Sequence, residues 1–550
     1  MTTVAPISTA PRDAEPVTEP AAAAAPLPTR PPTGAQYLRA LDDNRAVFLA
    51  GQRLTSIADH PAFAGPARSI ARLYDALQPD HPLHTTLTRP TDTGRPGFTH
   101  AFFRVPHSAA DLLASQQAIA AWARLTYGWM GRSPDYKAAL FASFGAAPEF
   151  FGPFADNTRA WYARAQTDLP FTCHALVNPP IDRHLPPDQI TDVLIRPVRE
   201  TSAGIVVSGA KVVATSAPLS THVFVGQTGK SAGDDPALAL AFIAPIASPG
   251  IKLICREPFT REDRAPFDAP LASRFDENDA ILTFSDVLIP WENVLIHRDV
   301  KRTRAFFTGA GFVNAFLFHG ATRLAVKLDF LVGLLSRCLQ ATGADEHRPA
   351  QVLLGEAVAW RHLIWSLSTA MAAAPDPWTG RAPASTALAP QRQAALAYAT
   401  FAPQCTARVR EIIQTTVASG LVYLPAAVDD LLTPETRPLV DRYVRGSKGM
   451  PADQRIKLMK LMWDAVGSAF AGRHDLYERH YAGSPDDVRL QALAEAQRYG
   501  RLDAMHTLVD RCLAEYDLHG WIDPTWAAAS SPFPSSTPFP PAHPPHPLAA

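Results

Sequence analysis

The chain has little of what would place it in a membrane, a secretory compartment or a nucleic-acid complex. Its apolar runs are short, and the candidate FHGATRLAVKLDFLVGLL is interrupted by charged residues, whereas a helix needs roughly 20 apolar residues to span a bilayer. No charged n-region followed by an apolar h-region opens the given sequence, so we expect no signal peptide, and its five cysteines stand singly without a CxxC pair. A formal net charge of -1 over 550 residues provides no basic stripe for phosphate backbones. We therefore predict a cytoplasmic globular protein with neither a membrane nor a nucleic-acid partner.

Familiar cofactor and metal motifs are also missing. The segment GQTGKSAGDD contains Gly229-Lys230-Ser231, but Phe224 stands where a phosphate-binding P-loop needs a glycine. No GxGxxG follows a predicted strand, so no Rossmann site for NAD(P)H or FAD is expected. The histidines of HPPHP and RHDLYERH lack the spacing of zinc ligands. We predict no metal.

What is present is a succession of three compositional zones between two tails. Residues 1–33 and 523–550 are Pro-, Ala- and Ser-rich, and we expect them to be disordered. Residues 34–185 read as a helical domain, and SAADLLASQQAIAAWARL, with Ser108 as its cap, is the clearest helix. Residues 186–300 hold many short β-branched runs, which predict a β-barrel or a sandwich, and long apolar-periodic helices return over 301–522. The fold class is α+β.

The stretch GRSPDYKAALFASFG, residues 131–145, places candidate functional residues at a predicted helix start. Ser133 suits the N-cap, Pro134 the first helical position and Asp135 the first turn. Arg132 then lies just outside the helix and Tyr136 near its third position, where the helix dipole favours an anion such as a phenolate or carboxylate. The plainer interpretation is a surface arginine and a packed tyrosine.

His174 stands in an apolar setting, FTCHALVNPPIDR, where a histidine is usually a core residue. Together with other segments, however, this one resembles the 4-hydroxyphenylacetate 3-hydroxylase family in order and spacing over roughly residues 34–522. The segments are YGWMGRSPDYKAA, FGPFADNTRAWY, HALVNPPIDR, GAKVVATSA, SRFDENDAILTFSDVLIPWENV, FHGATRLAVKLDF, ASGLVYLP, DRYVRGSKG and GSAFAGRHDLYERHYAG.

The resemblance implies a fold and a chemistry. The fold is the acyl-CoA dehydrogenase-like one, with an N-terminal helical domain, a middle β-barrel and a C-terminal helical bundle, usually as a homotetramer. The chemistry is that of an oxygenase component: FADH2 from a separate flavin reductase reacts with O2, and the resulting C4a-hydroperoxyflavin hydroxylates a phenol at its ortho carbon to give a catechol. By resemblance, Arg132, Tyr136 and His174 hold the phenolic oxygen. Which of the three takes the phenol proton stays open, as does whether the phenol is free or bound to a carrier protein.

For the flavin, the resemblance implies three groups of residues, and two of these groups have a plainer alternative. Thr215 ends the predicted strand GAKVVAT and would bond the isoalloxazine edge, or it merely favours the strand. The small residues of GSAF would let backbone N–H groups approach the pyrophosphate, or they merely let two helices pack closely. The complete set expected to bind the cofactor is His174, Ala175, Leu176, Ile181, Asp182, Arg183, Thr215, Gly467, Ser468, Ala469 and Phe470.

The loop over residues 226–236 is our candidate for substrate selection. It is glycine-rich and polar, and we expect Gly229 and Lys230 to bind the far end of the substrate, with Lys230 meeting a carboxylate. Asp234 and Asp235 would instead repel one. The alternative is a solvated hairpin tip remote from the site.

Two other functions stay open from the sequence. One is a flavin dehydrogenase for acyl thioesters with the same fold, which would need a catalytic carboxylate beside the flavin. The other is a non-catalytic scaffold that has lost activity, against which the joint presence of Arg132, Tyr136 and His174 argues.

Overall fold

The computed structural model describes residues 30–182, 184–185, 189–227, 235–259, 264–523 and 525. The chain divides into two compact units, Met1–Ala482 and Gly483–Ala550. Among the described residues, none of the helices is both long and apolar enough to cross a membrane.

In the first unit, helices come first and last along the chain, and most of the strands lie between them in sequence. Its helices are α1 Gly34–Arg39, α2 Pro61–Asp75, α3 His84–Leu87, α4 Ala109–Leu125, α5 Ala138–Ala146, α6 Ala155–Asp168, α7 Ala272–Phe275, α8 Val300–Gly309, α9 Val313–Thr342, α10 Arg348–Ala373, α11 Arg392–Val417, α12 Asp429–Leu432, α13 Arg437–Tyr443, α14 Ala452–Val466 and α15 Ala469–His480. The long helix α9 packs against α4, α10, α11 and α14, and its middle turns are buried. It therefore links the N-terminal helices to the C-terminal ones.

The strands of this unit form two larger sheets and two short ribbons. They are β1 Ala46–Leu49, β2 Gln52–Arg53, β3 Thr88–Pro90, β4 Phe98–His100, β5 Thr172–Ala175, β6 Arg196–Glu200, β7 Gly204–Thr215, β8 His222–Val225, β9 Leu240–Pro245, β10 Ile251–Cys255, β11 Asp279–Pro290, β12 Val294–His297, β13 Asp376–Pro377 and β14 Leu388–Ala389. One sheet has the order β2-β1-β10-β11-β7-β6 and the other β12-β9-β8-β5. The pairs β1–β10 and β5–β8 are parallel, and the other pairs within these two sheets are antiparallel.

The predicted middle barrel is not closed in the part of the chain that the structure describes, which contains two open sheets instead. The outer strands explain why the sheets stay open. Strand β6 contains Pro197, which lacks an N–H donor, and carries charged residues that are largely exposed, while β2 has only two residues, both exposed. Strand β5 runs into Pro179 and Pro180. The α+β class is confirmed, whereas the domain boundaries at 185/186 and 300/301 stay predictions.

Two predicted helix starts had different outcomes. Ser108 caps α4 as predicted, because its hydroxyl accepts a hydrogen bond from the Asp111 N–H at 3.1 Å. The helix predicted from Ser133 to about Gly145 is instead a 3-10 turn over Pro134–Lys137 followed by α5. Ser133 does not cap it, since its hydroxyl bonds the Asp135 carboxylate at 2.5 Å. The tighter turn brings Tyr136 and Lys137 into the protein interior, where both are buried.

The second unit is a helical hairpin followed by a short β-ribbon. Helix α16 spans Pro485–Arg498 and α17 spans Arg501–Leu513, with Gly500 in the left-handed conformation between them. Strands β15, Tyr516–Asp517, and β16, Gly520–Trp521, pair antiparallel. This unit carries none of the predicted site residues.

Candidate active site

The guanidinium of Arg132 is surrounded by tyrosine rings. Its Cζ lies 4.1 Å from the ring centroid of Tyr136, 4.9 Å from that of Tyr477 and 5.3 Å from that of Tyr481. The Nε and Nη1 atoms are buried and have no hydrogen-bond partner among the described residues. Buried charged donors are normally paired, so these N–H groups are available to a ligand oxygen.

Glu277 fixes the backbone at Arg132. Its Oε1 accepts a hydrogen bond from the Arg132 N–H at 2.5 Å, and its Oε2 lies 3.4 Å from Nη1 of Arg473. The preceding residue must be glycine, because a Cβ at Gly131 would lie 2.1 Å from the Tyr477 hydroxyl. The close packing at Gly131 and the buried carboxylate of Glu277 thus fix the backbone position from which the Arg132 side chain extends.

His174 completes the predicted trio from a different element. It lies on β5, paired with Phe224 of β8, and its ring centroid is 5.6 Å from that of Tyr136. Its Nδ1 is 3.0 Å from Nζ of Lys137. Burial, with the electrostatic effect of the nearby Lys137 and Arg132 side chains, holds the pKa of His174 well below its ordinary value, so the imidazole is neutral near pH 7. Its Nε2 makes no hydrogen bond to a described residue.

The protonation states of Arg132 and Tyr136 follow from their surroundings. Burial alone would lower the pKa of Arg132, but the Tyr136, Tyr477, Tyr481 and Glu277 groups outweigh it and raise the pKa. Burial raises the pKa of the Tyr136 hydroxyl despite the opposing effect of Arg132. At neutral pH the site therefore contains a guanidinium, a protonated phenol and a neutral imidazole. The structure brings the three predicted residues together, and their roles stay predictions.

Thr215 is linked to this cluster by ion pairs. Its hydroxyl donates to Oδ1 of Asp279 at 2.6 Å, and Nη2 of Arg473 donates to the same oxygen at 2.9 Å. Arg473 also pairs with Glu277, which holds the backbone of Arg132. A continuous polar chain thus runs from the predicted flavin residue to the predicted phenol residue.

The segment after His174 runs beside strand β7 at Val177, and apolar side chains of both elements are exposed. Val177 bridges Val212, whose N–H donates to the Val177 carbonyl at 2.9 Å. Val177, Ile181 and Val213 are 51%, 38% and 55% exposed, and they are the apolar ledge referred to below. Ala175 is buried within β5, Leu176 is half-buried and Asp182 is exposed with a φ of 39°. Arg183, also predicted here, lies outside the described residues.

The GSAF segment joins α14 to α15. A Cβ at Gly467 would lie 2.3 Å from the Trp463 ring, so close packing by itself requires this glycine. Ser468 caps α15 by accepting from the Ala471 N–H at 3.1 Å, and Phe470 is a core residue, 1% exposed, beside Trp129 and His474. Ala469 is exposed. These contacts support the packing interpretation for Gly467 and Phe470, and the flavin role of all four residues stays a prediction.

Sequence reasoning missed several residues that surround the trio. Arg473 and Tyr477 on α15 and Tyr481, which caps the C-terminus of α15, occur at intervals of four in GRHDLYERHY and therefore share one face, a signal that was available in the sequence. Lys137 and Glu277 had no such pattern. The substrate loop predictions on Gly229 and Lys230 fall outside the described residues.

Comparisons with known proteins identify the family of the chain. The family models for the N-terminal and C-terminal parts of 4-hydroxyphenylacetate 3-hydroxylase match residues 33–296 and 303–510. The oxygenase component of 4-hydroxyphenylacetate 3-monooxygenase from Escherichia coli is 48% identical over 90% of this chain and 95% of its own length. The chain belongs to the 4-hydroxyphenylacetate 3-hydroxylase family.

Two further members of the 4-hydroxyphenylacetate 3-hydroxylase family are informative. A Streptomyces globisporus monooxygenase for a (3S)-3-amino-3-(3-chloro-4-hydroxyphenyl)propanoyl group on a peptidyl-carrier protein is 47% identical over 90% of this chain and 93% of its own length. A solved oxygenase component complexed with FAD and 4-hydroxyphenylacetate is 30% identical, with a TM-score of 0.80 over 88% of this chain and 99% of that chain. The predicted family is confirmed, and with it a flavin-dependent monooxygenase.

Proposed function

We propose that this chain is the oxygenase component of a two-component monooxygenase that uses FADH2 and O2 to hydroxylate a phenol at its ortho carbon, giving a catechol. One observation carries the proposal: the buried Nε and Nη1 atoms of Arg132 have no partner among the described residues, although Tyr136 lies beside the guanidinium and His174 lies beside Tyr136. A phenolic oxygen suits this place because it supplies acceptor lone pairs and, when ionised, a negative charge.

The residues fit a reduced flavin. The apolar ledge offers a surface for the isoalloxazine ring beside the polar Thr215, and the exposed Ala469 at the start of α15 leaves backbone N–H groups near the helix terminus for the pyrophosphate. FADH2, when bound, supplies the electrons and activates O2 for transfer. Ile181, Asp182, Thr215 and Ser468 would hold it, with Arg183 as a further predicted ligand.

We infer a role for each residue of the trio from its protonation state. Arg132 and Tyr136 are already protonated, so neither accepts the phenol proton. His174 is neutral, and its Nε2 is free to take that proton. Arg132 then stabilises the phenolate, and the Tyr136 hydroxyl donates a directional hydrogen bond to it. A phenolate is more reactive at its ortho carbon than the neutral phenol is.

The acyl-thioester dehydrogenase alternative is less well supported by the site. That reaction needs a carboxylate free to remove a proton from carbon. Glu277, the carboxylate beside Arg132, is engaged by the Arg132 N–H and by Arg473. The visible spectrum separates the two functions, because a dehydrogenase purifies yellow with oxidised FAD and a two-component oxygenase purifies nearly colourless.

A panel of phenols tests the proposed function. Each phenol is incubated with the protein, FAD, NADH, a generic flavin reductase and O2, and the products are read by mass. A gain of one oxygen with a catechol product supports the proposal, and no gain with any phenol contradicts it. The panel includes free 4-hydroxyphenylacetate, 4-coumarate, tyrosine, halophenols and a carrier-bound β-tyrosine, since the Streptomyces relative acts on a carrier-bound group.

Turnover is expected to require supplied FADH2 and not to occur with NAD(P)H directly, because no dinucleotide-binding fingerprint is present. With NADH and FAD alone, product formation is expected to stay at background, and addition of a flavin reductase is expected to restore it. Catalase is included to remove H2O2. Steady turnover without any reductase would contradict the prediction.

Assembly, location and domain layout are also part of the proposal. We propose a homotetramer, as family resemblance implies, a cytoplasmic location, as the single cysteines suggest, and domains over 34–185, 186–300 and 301–522, which follow the three compositional zones. Native mass spectrometry tests the assembly, and cell fractionation tests the location.

A further inference from the structure

Lys137 is a buried lysine that no predicted role accounts for. It ends the 3-10 turn over Pro134–Lys137, and its side chain lies in the same cluster as the trio. Its Nζ is 3.0 Å from Nδ1 of His174 and 4.2 Å from the ring centroid of Tyr136. The residue is only 7% exposed. Lys137 therefore contacts the one nitrogen of His174 that faces away from a substrate bonded to Nε2.

No carboxylate among the described residues pairs with Lys137. The charged or titratable groups that face it are the Arg132 guanidinium, the His174 ring, the Tyr136 hydroxyl and the Cys173 thiol. Burial raises the pKa of Cys173 to about 12, so that thiol carries no charge at neutral pH. Glu277 is engaged by Arg132 and Arg473. A buried ammonium without a carboxylate, and near a guanidinium, is unfavourable.

The neutral amine is consequently the favoured state of Lys137 before substrate binds. Burial, followed by the effect of Arg132, holds its pKa well below the ordinary value for lysine. A neutral amine has a lone pair that accepts the Nδ1–H of His174, which leaves Nε2 unprotonated and able to accept a proton. The contact thus selects the tautomer of His174 that works as a base.

We propose that Lys137 is the positioning residue that receives the phenol proton through His174. This inference rests on the proposed function. The phenol O–H proton moves to Nε2 of His174, and the Nδ1 proton of His174 moves to Nζ of Lys137. The products are a phenolate, a neutral imidazole protonated on Nε2 and a lysine ammonium, so no proton is gained or lost overall.

In this arrangement the charges of the phenol oxygen and of Lys137 change only when the proton is transferred. Before transfer, the pair of Lys137 and His174 is neutral. After transfer, the new positive charge on Lys137 lies behind the imidazole, and Nε2–H donates to the phenolate beside Arg132. The buried negative charge of the phenolate and the buried positive charge of Lys137 appear together, which avoids isolating either one.

The test measures the ionisation of a bound phenol and requires no turnover. 4-Nitrophenol is added to the full-length protein from pH 5.5 to 9, and the phenolate absorption of the bound fraction is read as a difference spectrum. The protein is compared with Lys137→Met, which keeps the length of the side chain without a basic nitrogen. Lys252→Met, at an exposed position on β10, is the matched control. Circular dichroism confirms that each variant is folded.

Wild type and Lys252→Met are expected to hold the phenolate at the acidic end of the range. In Lys137→Met the midpoint for bound phenolate is expected to rise by about one pH unit or more, which is a tenfold or larger change in ionisation. A midpoint equal to that of wild type in a folded Lys137→Met variant overturns the proton-acceptor role of Lys137 alone. Failure of wild type to bind any phenol overturns the proposed function as well.

A second variant separates proton acceptance from charge. Lys137→Arg keeps a cation but cannot accept a proton, because a guanidinium stays protonated in proteins. Proton release on 4-nitrophenol binding is measured by calorimetry at pH 6 in two buffers of different ionisation enthalpy. Wild type is expected to release close to none, since the proton stays on Lys137. A permanent cation next to His174 disfavours an imidazolium that would keep the proton, so Lys137→Arg is expected to release up to about one proton per phenolate bound. Release equal to that of wild type overturns the inference.

Discussion

Replacement of Arg132 by methionine is expected to lower phenol hydroxylation by about 10²- to 10³-fold, the range for loss of one group that stabilises an oxyanion. The reason is that Nε and Nη1 of Arg132 are buried cationic donors without a partner in the described part of the chain, and Tyr136, which contacts His174, lies beside them. Oxygen consumption with supplied FADH2 is expected to continue, with H2O2 as the product. Product is measured by mass and H2O2 by a peroxidase assay.

A matched substitution controls for the loss of an arginine elsewhere. Arg159 is half exposed and pairs with Glu149 and Asp156 on the surface, so Arg159→Met is expected to change activity by less than about twofold.

The second residue of the trio to be tested is His174. His174→Ala is expected to lower hydroxylation by about 10²-fold or more, because it removes the base. Wild-type coupling of oxygen use to product in Arg132→Met or His174→Ala would show that the phenol oxygen lies elsewhere.

Replacement of Glu478 by glutamine is expected to lower the free energy of unfolding by about 3–5 kcal/mol, the usual cost of removing one partner of a buried ion pair. Glu478 on α15 accepts hydrogen bonds from Arg323 at 2.6 and 2.7 Å and from Lys327 at 2.9 Å, both on α9. All three side chains are 5% exposed or less. The variant leaves two buried cations with no carboxylate, and chemical denaturation measures the loss.

An exposed pair provides the control for that substitution. Glu356 pairs with Arg408 between α10 and α11, and both side chains are about one third exposed. Glu356→Gln is expected to cause a much smaller loss, because solvent screens such pairs. Equal losses for the two variants would contradict a dominant role of the buried pair between α9 and α15.

The same carboxylate makes stability depend on pH in acid. Burial alone would raise the pKa of Glu478, but Arg323 and Lys327 outweigh it and lower the pKa to about 2. The unfolded chain binds a proton on this group at a higher pH than the folded protein does. The stabilisation is therefore complete above the ordinary pKa of glutamate and is lost as the pH falls towards 2. Glu478→Gln is expected to show a flatter loss of stability over that range.

Local patterns were sufficient for some of the site and insufficient for the rest. The motif around Arg132 and Tyr136 predicts a helix start, although the structure has a 3-10 turn there, followed by α5. His174 stood in an apolar setting that by itself indicated a core residue. Only the resemblance to the family joined it to the other two, because a contact between residues on different elements leaves no periodic signal in one sequence.

The contacts of Thr215 and Gly467 show a second limit of sequence patterns. The Thr215 hydroxyl is engaged by Asp279, 64 residues away, and this partner follows from the pairing of β7 with β11. Gly467 is required by the Trp463 ring, which packs against it within one turn. Neither partner was predicted, since both depend on where side chains point after the chain has folded.

By itself the sequence determined the α+β class, the order of helices, strands and helices, and the residues of the trio through family resemblance. These features depend on local periodicity, capping and motifs, which are properties of neighbouring residues. Only the tertiary structure decided that the middle strands form two open sheets in the described residues, that α15 and its C-cap carry Arg473, Tyr477 and Tyr481 to the trio, and that Lys137 contacts His174. Those outcomes depend on long-range strand pairing and on burial of charge, because a buried cation must find its partner across the fold.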